Sequence, residues 1–340
     1  MAKRIGRGTA EINVPVAILG QAAVGGKTEH EGPLGHIFME SFEESRLGEK
    51  CWEMSETRLQ QAAMGHALQN AGCKPEAVDL HLGGDLLNQC SATNFALREL
   101  QIPLAGLYAA CGSFAQALTM GALMIDNGAF GLVSACASSH FCAQEKQFRF
   151  PLEFGGQAPP TAQRTATAAG AAILGTGEGD EPRITRVIFG KVTDLGVKNA
   201  SEMGAAMAPA AWDTLRRFLQ DTGTNPSDFD MILTGDLGQI GSSLLIELAR
   251  TEAGLDIESV HRDCGLMLYD TETQDAGSGG SGVGCSAAVL CGEILPKLRT
   301  GGLRRVLFLG TGALLSAISP LQGESIPAIA HGVDIVRGKE

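Results

Sequence analysis

LQNAGCKPEAVDLHLGGDLLNQCSATNFAL, residues 68–97, aligns without a gap with LQDTGTNPSDFDMILTGDLGQIGSSLLIEL, residues 219–248. Eleven of the thirty aligned positions are identical, at a constant offset of 151 residues. This period is far longer than that of a solenoid repeat. The sequence therefore predicts an internal duplication, in which two halves of the chain share one fold.

Each copy of the repeat predicts the same order of elements. An amphipathic helix, over residues 52–70 in the first copy and 211–222 in the second, ends at a glycine. A proline-containing turn and an apolar strand follow, the strand at residues 78–82 and 229–233. Gly-Asp-Leu and a second helix complete the unit.

A second pair of segments extends the duplication. Residues 110–139 and 283–312 each read as a turn of small residues, a helix of about four turns, a glycine and a strand. Helices and strands in this alternation predict an α/β fold with mixed sheets. We expect buried helices that begin at Cys111 and Gly284 to lie face to face between the two halves.

The composition excludes several classes of protein. The net charge of −12 argues against a nucleic-acid partner, because a phosphate backbone needs a basic surface. No apolar run is long enough for a membrane span, and the first residues lack the apolar core of a signal peptide. The nine cysteines have no framework spacing, so we expect free thiols in a reducing compartment. Cys136, His140 and Cys142 lack the paired spacing of zinc ligands, and no metal site is predicted.

A glycine-rich stretch near the start, GQAAVGGKT at residues 20–28, is close to a phosphate-binding loop but departs from it. The pattern Gly-x4-Gly-Lys-Thr needs a glycine at position 21, where the chain has Gln21. Pro33 also interrupts the helix that should follow. We therefore interpret this stretch as a strand that ends in a loop.

Cys111 is the candidate centre of any chemistry. It follows an apolar stretch at 104–109, predicted as a strand, and directly precedes a helix that starts with Gly112 and Ser113. The unpaired N–H groups and the positive end of a helix lower the pKa of a thiol, which predicts a thiolate. A strand, a turn and a helix start also present nucleophiles for acyl transfer, and the same N–H groups suit an anion.

Other polar groups are predicted to share a pocket with Cys111. Asp85 and Asp236, the paired carboxylates of the repeat, either face the pocket to accept a proton or hold a cation, or cap the helices after them. Arg149 and Arg164 are candidates for a two-pronged contact with a carboxylate. The complete set predicted to bind a ligand is Cys111, Gly112, Ser113, Asp85, Ser138, Ser139, His140, Arg149, Arg164, Asp236, Gly284 and Gly312.

Long motifs give a resemblance over nearly the whole chain. Two α/β halves with a cysteine at the start of the first buried helix resemble the thiolase superfamily. Within it the chain is similar to the stage V sporulation protein AD family, through motifs that include EGPLG (31–35), GDLLNQ (84–89), QFRFP (147–151), MGAAMAPAA (203–211), DCGLM (263–267) and ESIPAIAHGV (324–333). The resemblance implies a layered α-β-α-β-α fold with two mixed five-stranded sheets, one in residues 1–180 and one in residues 181–340.

The family resemblance also implies a function. It implies a non-catalytic protein that binds dipicolinic acid (pyridine-2,6-dicarboxylate), with or without calcium, and supports its uptake into the developing spore. The implied partners are the membrane proteins of the same uptake channel, at the cytoplasmic face of the spore or forespore inner membrane, and a second copy of the chain. No further cofactor is implied.

Two positions argue against catalysis, although an alternative stays open. Condensing enzymes of the superfamily polarise a carbonyl with a histidine and an asparagine, which in this chain fall on Gly235 and about Gly284. The alternative is a thiolase- or β-ketoacyl-synthase-type acyltransferase with Cys111 as its nucleophile. It would need another histidine in the pocket, such as His140, His261 or His331.

Overall fold

A computed structural model describes residues 1–148 and 158–339 of the chain. Its helices are α1 Lys27–His30, α2 Trp52–Asn70, α3 Ser91–Leu100, α4 Ser113–Asp126, α5 Phe141–Phe148, α6 Met203–Thr222, α7 Gly238–Ala253, α8 Cys264–Leu268, α9 Val283–Val289 and α10 Leu295–Thr300. Its strands are β1 Lys3–Arg4, β2 Thr9–Gly26, β3 Glu40–Phe42, β4 Leu80–Gly84, β5 Leu104–Gly106, β6 Val133–Ser139, β7 Arg164–Thr165, β8 Ala168–Thr176, β9 Arg183–Ile188, β10 Met231–Thr234, β11 His261–Asp263, β12 Gly280–Ser281, β13 Arg305–Ala313 and β14 Ala328–Val336.

Twelve of the described strands form one main sheet, in the order β11-β10-β13-β14-β9-β2-β8-β6-β4-β5, with β1 and β3 also paired to β2. The other two, β7 and β12, form a separate parallel pair. The first half of the chain supplies β2, β8, β6, β4 and β5, and the second half supplies the rest of that order. In each half the pairing is mixed, since β6 is parallel to β4 and antiparallel to β8, and β13 is parallel to β10 and antiparallel to β14. Each half therefore contributes five strands with mixed pairing, but the two sets belong to one continuous sheet rather than to two separate sheets.

The long strand β2 joins the two sets of strands edge to edge. Its first residues pair with β9, with Thr9 opposite Ile188, and its later residues pair with β8, with Ala22 opposite Ala171. A strand of 18 residues is long enough to use both of its edges in this way. The halves therefore share one continuous ladder, which the duplication alone does not predict.

Two buried helices separate the layers. Helix α4 packs on β4 and β6 of the first half and on β13 and β14 of the second, while α9 packs on β6 and β8 and contacts α4. Small residues allow the close approach, since a Cβ at Gly170 of β8 would lie 2.3 Å from the Ala287 carbonyl oxygen of α9. Helices α2 and α6 cover the outer faces of the two sets of strands. This layered arrangement confirms the thiolase-like fold.

Most element bounds follow the sequence patterns closely, although β5 ends at Gly106 rather than at residue 109, and β2 is followed by the short helix α1 rather than by a loop. Helix α6 starts at Met203 rather than at residue 211, and Pro209 lies inside it. Strands β4 and β10 start about one helical turn after their prolines, because Pro75–Ala77 and Pro226–Asp228 each form a short 3-10 turn first. No described helix combines the length and the hydropathy needed to cross a bilayer.

Candidate functional site

A cavity lies beside Cys111, between the two halves. Its volume is about 610 Å³, including the space that opens to solvent. Apolar side chains form most of its wall, and thiol, hydroxyl, amide and carboxyl groups interrupt them. The described lining residues are Leu86, Tyr108, Ala110, Cys111, Gln144, Glu145, Phe148, Thr165, Ala200, Met203, Ser281, Ala313 and Leu315.

Cys111 sits in a tight turn between β5 and α4. Ala110 has a left-handed backbone, with φ of 48°, a conformation that costs energy for a residue with a Cβ. The Ser113 hydroxyl closes the turn, because it accepts from the Ala109 N–H at 2.9 Å and donates to the Ala110 carbonyl at 2.7 Å. Gly312 of β13 packs against the turn, where a Cβ would lie 2.1 Å from the Ala109 oxygen. Gly312 therefore lies near Cys111, as predicted, but it supports the turn through close packing.

The main-chain N–H groups of Gly112 and Ser113, which the sequence analysis predicts to bind a ligand, are instead hydrogen-bonded within the protein. The Gly112 N–H donates to the Ala109 oxygen at 3.0 Å, and the Ser113 N–H donates to the Ala110 oxygen at 3.1 Å. The turn uses both donors itself, because the reversal at Ala110 brings these carbonyls back over the helix start.

Cys111 is a neutral thiol rather than the predicted thiolate. Burial raises the pKa of Cys111 well above its usual value, and the neighbouring Asp236 carboxyl raises it further. The thiol donates to Asp236, which also accepts from Ser281 Oγ at 3.0 Å, Gly282 N at 2.9 Å and Thr311 Oγ1 at 2.9 Å. The prediction of a lowered pKa is wrong because desolvation and a nearby acid outweigh the end of a helix.

The two aspartates of the repeat have taken different roles. Asp85 accepts from the Leu87 N–H at 2.9 Å and from Thr93 N and Oγ1 at 2.8 and 2.7 Å, so it caps the start of α3. Asp236 does not cap the helix that follows it. That role belongs to Asp263, which accepts from the main-chain N–H groups at the start of α7 at 2.8 and 3.0 Å.

Asp263 was not singled out from the sequence. It also caps α8, whose Gly265 N–H donates to it at 3.1 Å, and burial raises its pKa to about 7. The signal that could have identified it is Asp-Cys-Gly directly before an apolar run, which is a common helix start.

Ser138 and His140 face away from the cavity, although both were predicted to bind a ligand there. Ser138 Oγ donates to Glu56 of α2 at 3.0 Å. The His140 ring stacks on Trp52 and lies 2.7 Å from the Ser45 carbonyl oxygen through Nε2. Burial lowers the pKa of His140. The interpretation of His140 as a cavity residue is therefore wrong.

Ser139 points to the opposite side from Ser138, because side chains alternate along a strand. Its hydroxyl donates to the Ala166 carbonyl at 2.6 Å and accepts from the Gly284 N–H at 3.2 Å. The hydrogen bond between Ser139 and Gly284 thus connects β6 to the start of α9. Both residues lie behind the cavity and are not among its described lining residues.

Arg164 lies beside the cavity and not in its described wall. Its guanidinium stacks over Phe141 at 4.4 Å and donates to the Asp275 carbonyl at 3.4 Å. The next residue, Thr165, lines the cavity instead. Arg149, the other candidate for a carboxylate contact, lies outside the described residues.

Gly235 and about Gly284 are the positions where the resemblance to condensing enzymes predicts a histidine and an asparagine. A Cβ at Gly284 would lie 2.1 Å from the Ala168 oxygen, so the packing of α9 on β8 leaves no room for an asparagine. Neither His261 nor His331 lines the cavity in the described structure. His261 Nε2 lies 3.0 Å from Thr234 Oγ1, and His331 Nδ1 accepts from a main-chain N–H at 3.2 Å.

Four polar lining residues were missed by the sequence analysis. Besides Glu145, these are Tyr108 from the loop after β5, Gln144 from α5, Thr165 from β7 and Ser281 from β12. Ser281 lies in the glycine-rich run before α9, which is a detectable signal for a turn next to the buried helix. Gln144 and Thr165 have no local signal, because only the packing of α5 and β7 brings them to the cavity.

The fold and the sequence each match known proteins. A family model described as Stage V sporulation protein AD matches residues 6–336. Stage V sporulation protein AD of Bacillus subtilis (strain 168) is 40% identical over 331 residues, which cover 97% of each chain.

Among solved structures, a variant of OleA from Xanthomonas campestris matches with a TM-score of 0.60 and 15% identity, over 96% of this chain and 99% of that one. A second OleA variant, with bound lauric acid and lauroyl-CoA, gives a TM-score of 0.60 at 14% identity, over 95% and 99%. These distant likenesses show the fold alone. The family model and the Bacillus relative go further, since they match along almost the entire sequence, and the chain therefore belongs to the stage V sporulation protein AD family.

Proposed function

We propose that this protein binds dipicolinic acid in the cavity beside Cys111 and catalyses no reaction on it. The observation that carries the proposal is the Cys111 thiol, which is neutral and donates a hydrogen bond to Asp236, so that it is not activated as a nucleophile. Acyl transfer needs an activated nucleophile and side-chain or main-chain donors for an oxyanion. Membership of a sporulation family supports a small molecule of the spore as the ligand.

The charges around the cavity favour a ligand that brings its own cation. Dipicolinate carries two carboxylates, whereas Asp236 places an acidic group directly behind Cys111. Calcium, which prefers oxygen ligands, would neutralise the dianion and reduce this repulsion. Arg149, which lies outside the described residues, stays a predicted contact for a ligand carboxylate.

We also propose that the protein acts at the cytoplasmic face of the spore or forespore inner membrane, with the membrane proteins of the same uptake channel. Sporulation family membership supports this location. A second copy of the chain is the other proposed partner, and the surface that suits it is the edge of β5 that has no strand partner among the described residues.

Calorimetric titration with dipicolinate, with and without calcium, tests the proposed ligand. We expect one-site binding to the wild type, strong loss in Cys111→Leu, whose larger side chain extends into the cavity, and little change in Cys136→Ala. Cys136 is a matched control because it is buried in β6 and is not among the cavity-lining residues. Absence of wild-type binding under both conditions would contradict the proposal.

An acyltransferase remains the second candidate, because the cavity wall is mainly apolar and an OleA structure of the same fold holds lauroyl-CoA. Incubation with lauroyl-CoA followed by mass spectrometry of the Cys111 peptide separates the two. A lauroyl adduct on Cys111 that disappears in Cys111→Ala would favour the acyltransferase.

A further inference from the structure

A chain of buried hydrogen bonds runs behind one wall of the cavity. Thr93 Oγ1 donates to Asp85 at 2.7 Å, and Gln60 Nε2 donates to Thr93 Oγ1 at 3.0 Å and to Ser138 Oγ at 2.8 Å. Ser138 Oγ in turn donates to Glu56 Oε1 at 3.0 Å. Asp85 and Ser138, both predicted from the sequence to bind the ligand, therefore belong to a second layer behind the wall.

Gln144 is the member of this network that reaches the cavity. Its Nε2 donates to Glu56 Oε2 at 2.9 Å, and its Oε1 accepts from the His140 N–H at 2.7 Å. These two bonds fix the orientation of the amide, since exchanging its oxygen and nitrogen would break both. A primary amide has two N–H donors, and the second one of Gln144 has no protein partner among the described contacts.

We propose that Gln144 is a specificity-determining contact, which donates this second N–H to an acceptor of the bound ligand, and that Glu56 is its positioning residue. The assignment rests on the proposed binding function and deepens it. A carboxylate oxygen or a ring nitrogen is the kind of acceptor that an amide N–H selects. A long hydrocarbon chain has no hydrogen-bond acceptor for the Gln144 N–H at this wall.

Glu56 can orient the Gln144 amide without repelling an anionic ligand, because the surroundings of Glu56 disfavour the charged form of its carboxyl group. Glu56 is fully buried, and burial together with the nearby Asp85 raises its pKa well above the usual value. The protonated form that burial favours can still accept from Gln144 through one of its oxygens. The substitution Glu56→Gln keeps the shape of the side chain. Its amide oxygen would accept from Gln144, and its NH2 group would donate to the Ser138 hydroxyl, which can accept as well as donate.

Dipicolinate titration of four folded variants, with and without calcium, tests the assignment. We expect Gln144→Met and Glu56→Leu each to weaken binding by about 10- to 100-fold, the range for a hydrogen bond to a charged group. Glu56→Gln should bind close to the wild type. Thr57→Val is the matched control, since Thr57 is buried next to Glu56 but its hydroxyl bonds only to the carbonyls of Glu53 and Ala92.

The double variant Gln144→Met with Glu56→Leu separates positioning from general damage to the fold. If Glu56 acts through Gln144, the double variant loses no more affinity than Gln144→Met alone, whereas independent effects add. Wild-type affinity in Gln144→Met, or additive losses, would overturn the assignment and leave the proposed function standing. No binding of dipicolinate to the wild type would overturn both.

Discussion

The state of Cys111 depends on which of two opposing effects on its pKa is larger. The start of α4 favours a thiolate, but the Gly112 and Ser113 N–H groups already donate within the turn. Burial and the Asp236 carboxyl both favour the neutral thiol. The same strand–turn–helix geometry that activates a cysteine elsewhere therefore leaves this one protonated.

Replacing Asp236 should make Cys111 more reactive. The variant Asp236→Asn removes the negative charge beside the thiol, so we expect the pKa of Cys111 to fall. Alkylation of Cys111 by iodoacetamide should then begin at a lower pH, and its rate near pH 8 should be severalfold higher. Mass spectrometry of the Cys111 peptide across pH 7 to 10 measures the shift. The Cys136 peptide is an internal control, because its pKa is raised by burial and by Asp85, not by Asp236. An unchanged Cys111 profile would refute the role of Asp236.

Single residues could be placed from sequence only where a local pattern determines their surroundings. The cap formed by Asp85 and the central position of Cys111 follow from such patterns. Ser138 and His140 turn away from the cavity because the phase of β6 and its packing on α2 decide their direction. Gln144 reaches the cavity through tertiary packing alone, which no local pattern encodes.

At the scale of elements, an ion cluster ties three strands of the second half together. Asp334 of β14 is fully buried and accepts from Arg305 of β13 at 2.9 and 2.7 Å, and from Arg186 of β9 at 3.2 Å. The Arg305 contact is two-pronged, which is the strong geometry for this pair. The cluster therefore connects β13 and β9 across β14, near the end of each strand that is remote from the cavity.

Removing the acid should destabilise the sheet strongly. Asp334→Ala leaves the partly buried Arg305 guanidinium without its carboxylate, whereas Arg186 keeps its 3.5 Å pair with Glu11, so we expect a loss of about 3 kcal/mol in the free energy of unfolding. Urea denaturation measures it. Arg304→Ala is the neighbouring control, because Arg304 is 82% exposed in its pair with Asp230 and should cost less than about 1 kcal/mol. Equal losses in the two variants would disprove the special role of the buried cluster.

For the whole molecule, the duplication predicts two similar sheets and two central helices, and two similar sets of strands and both helices are present. It does not predict that β2 would pair with β8 on one edge and β9 on the other. Pairing between the halves depends on the length and register of one strand, which the repeat does not contain. The cavity is a product of this assembly, since its wall takes residues from both halves.

The outer edges of the shared ladder bear on oligomeric state. Within the described residues β5 pairs only with β4, so its second edge presents free main-chain groups. Phe95, Leu104 and Tyr108 are 42%, 36% and 47% exposed beside it. An open strand edge with apolar neighbours is a template for pairing with another chain. Two copies related by a two-fold axis would extend the ladder through β5.

We expect the purified protein to sediment as a dimer and Leu104→Lys to sediment as a monomer. A lysine there puts two like charges close together across the two-fold axis and removes apolar area from the contact. Leu244→Lys on α7 is the matched control, because Leu244 is 39% exposed and lies in the second half, away from β5. Sedimentation velocity at micromolar concentrations distinguishes the two species. A monomeric wild type, or a Leu104→Lys variant that stays dimeric, would exclude β5 as the interface.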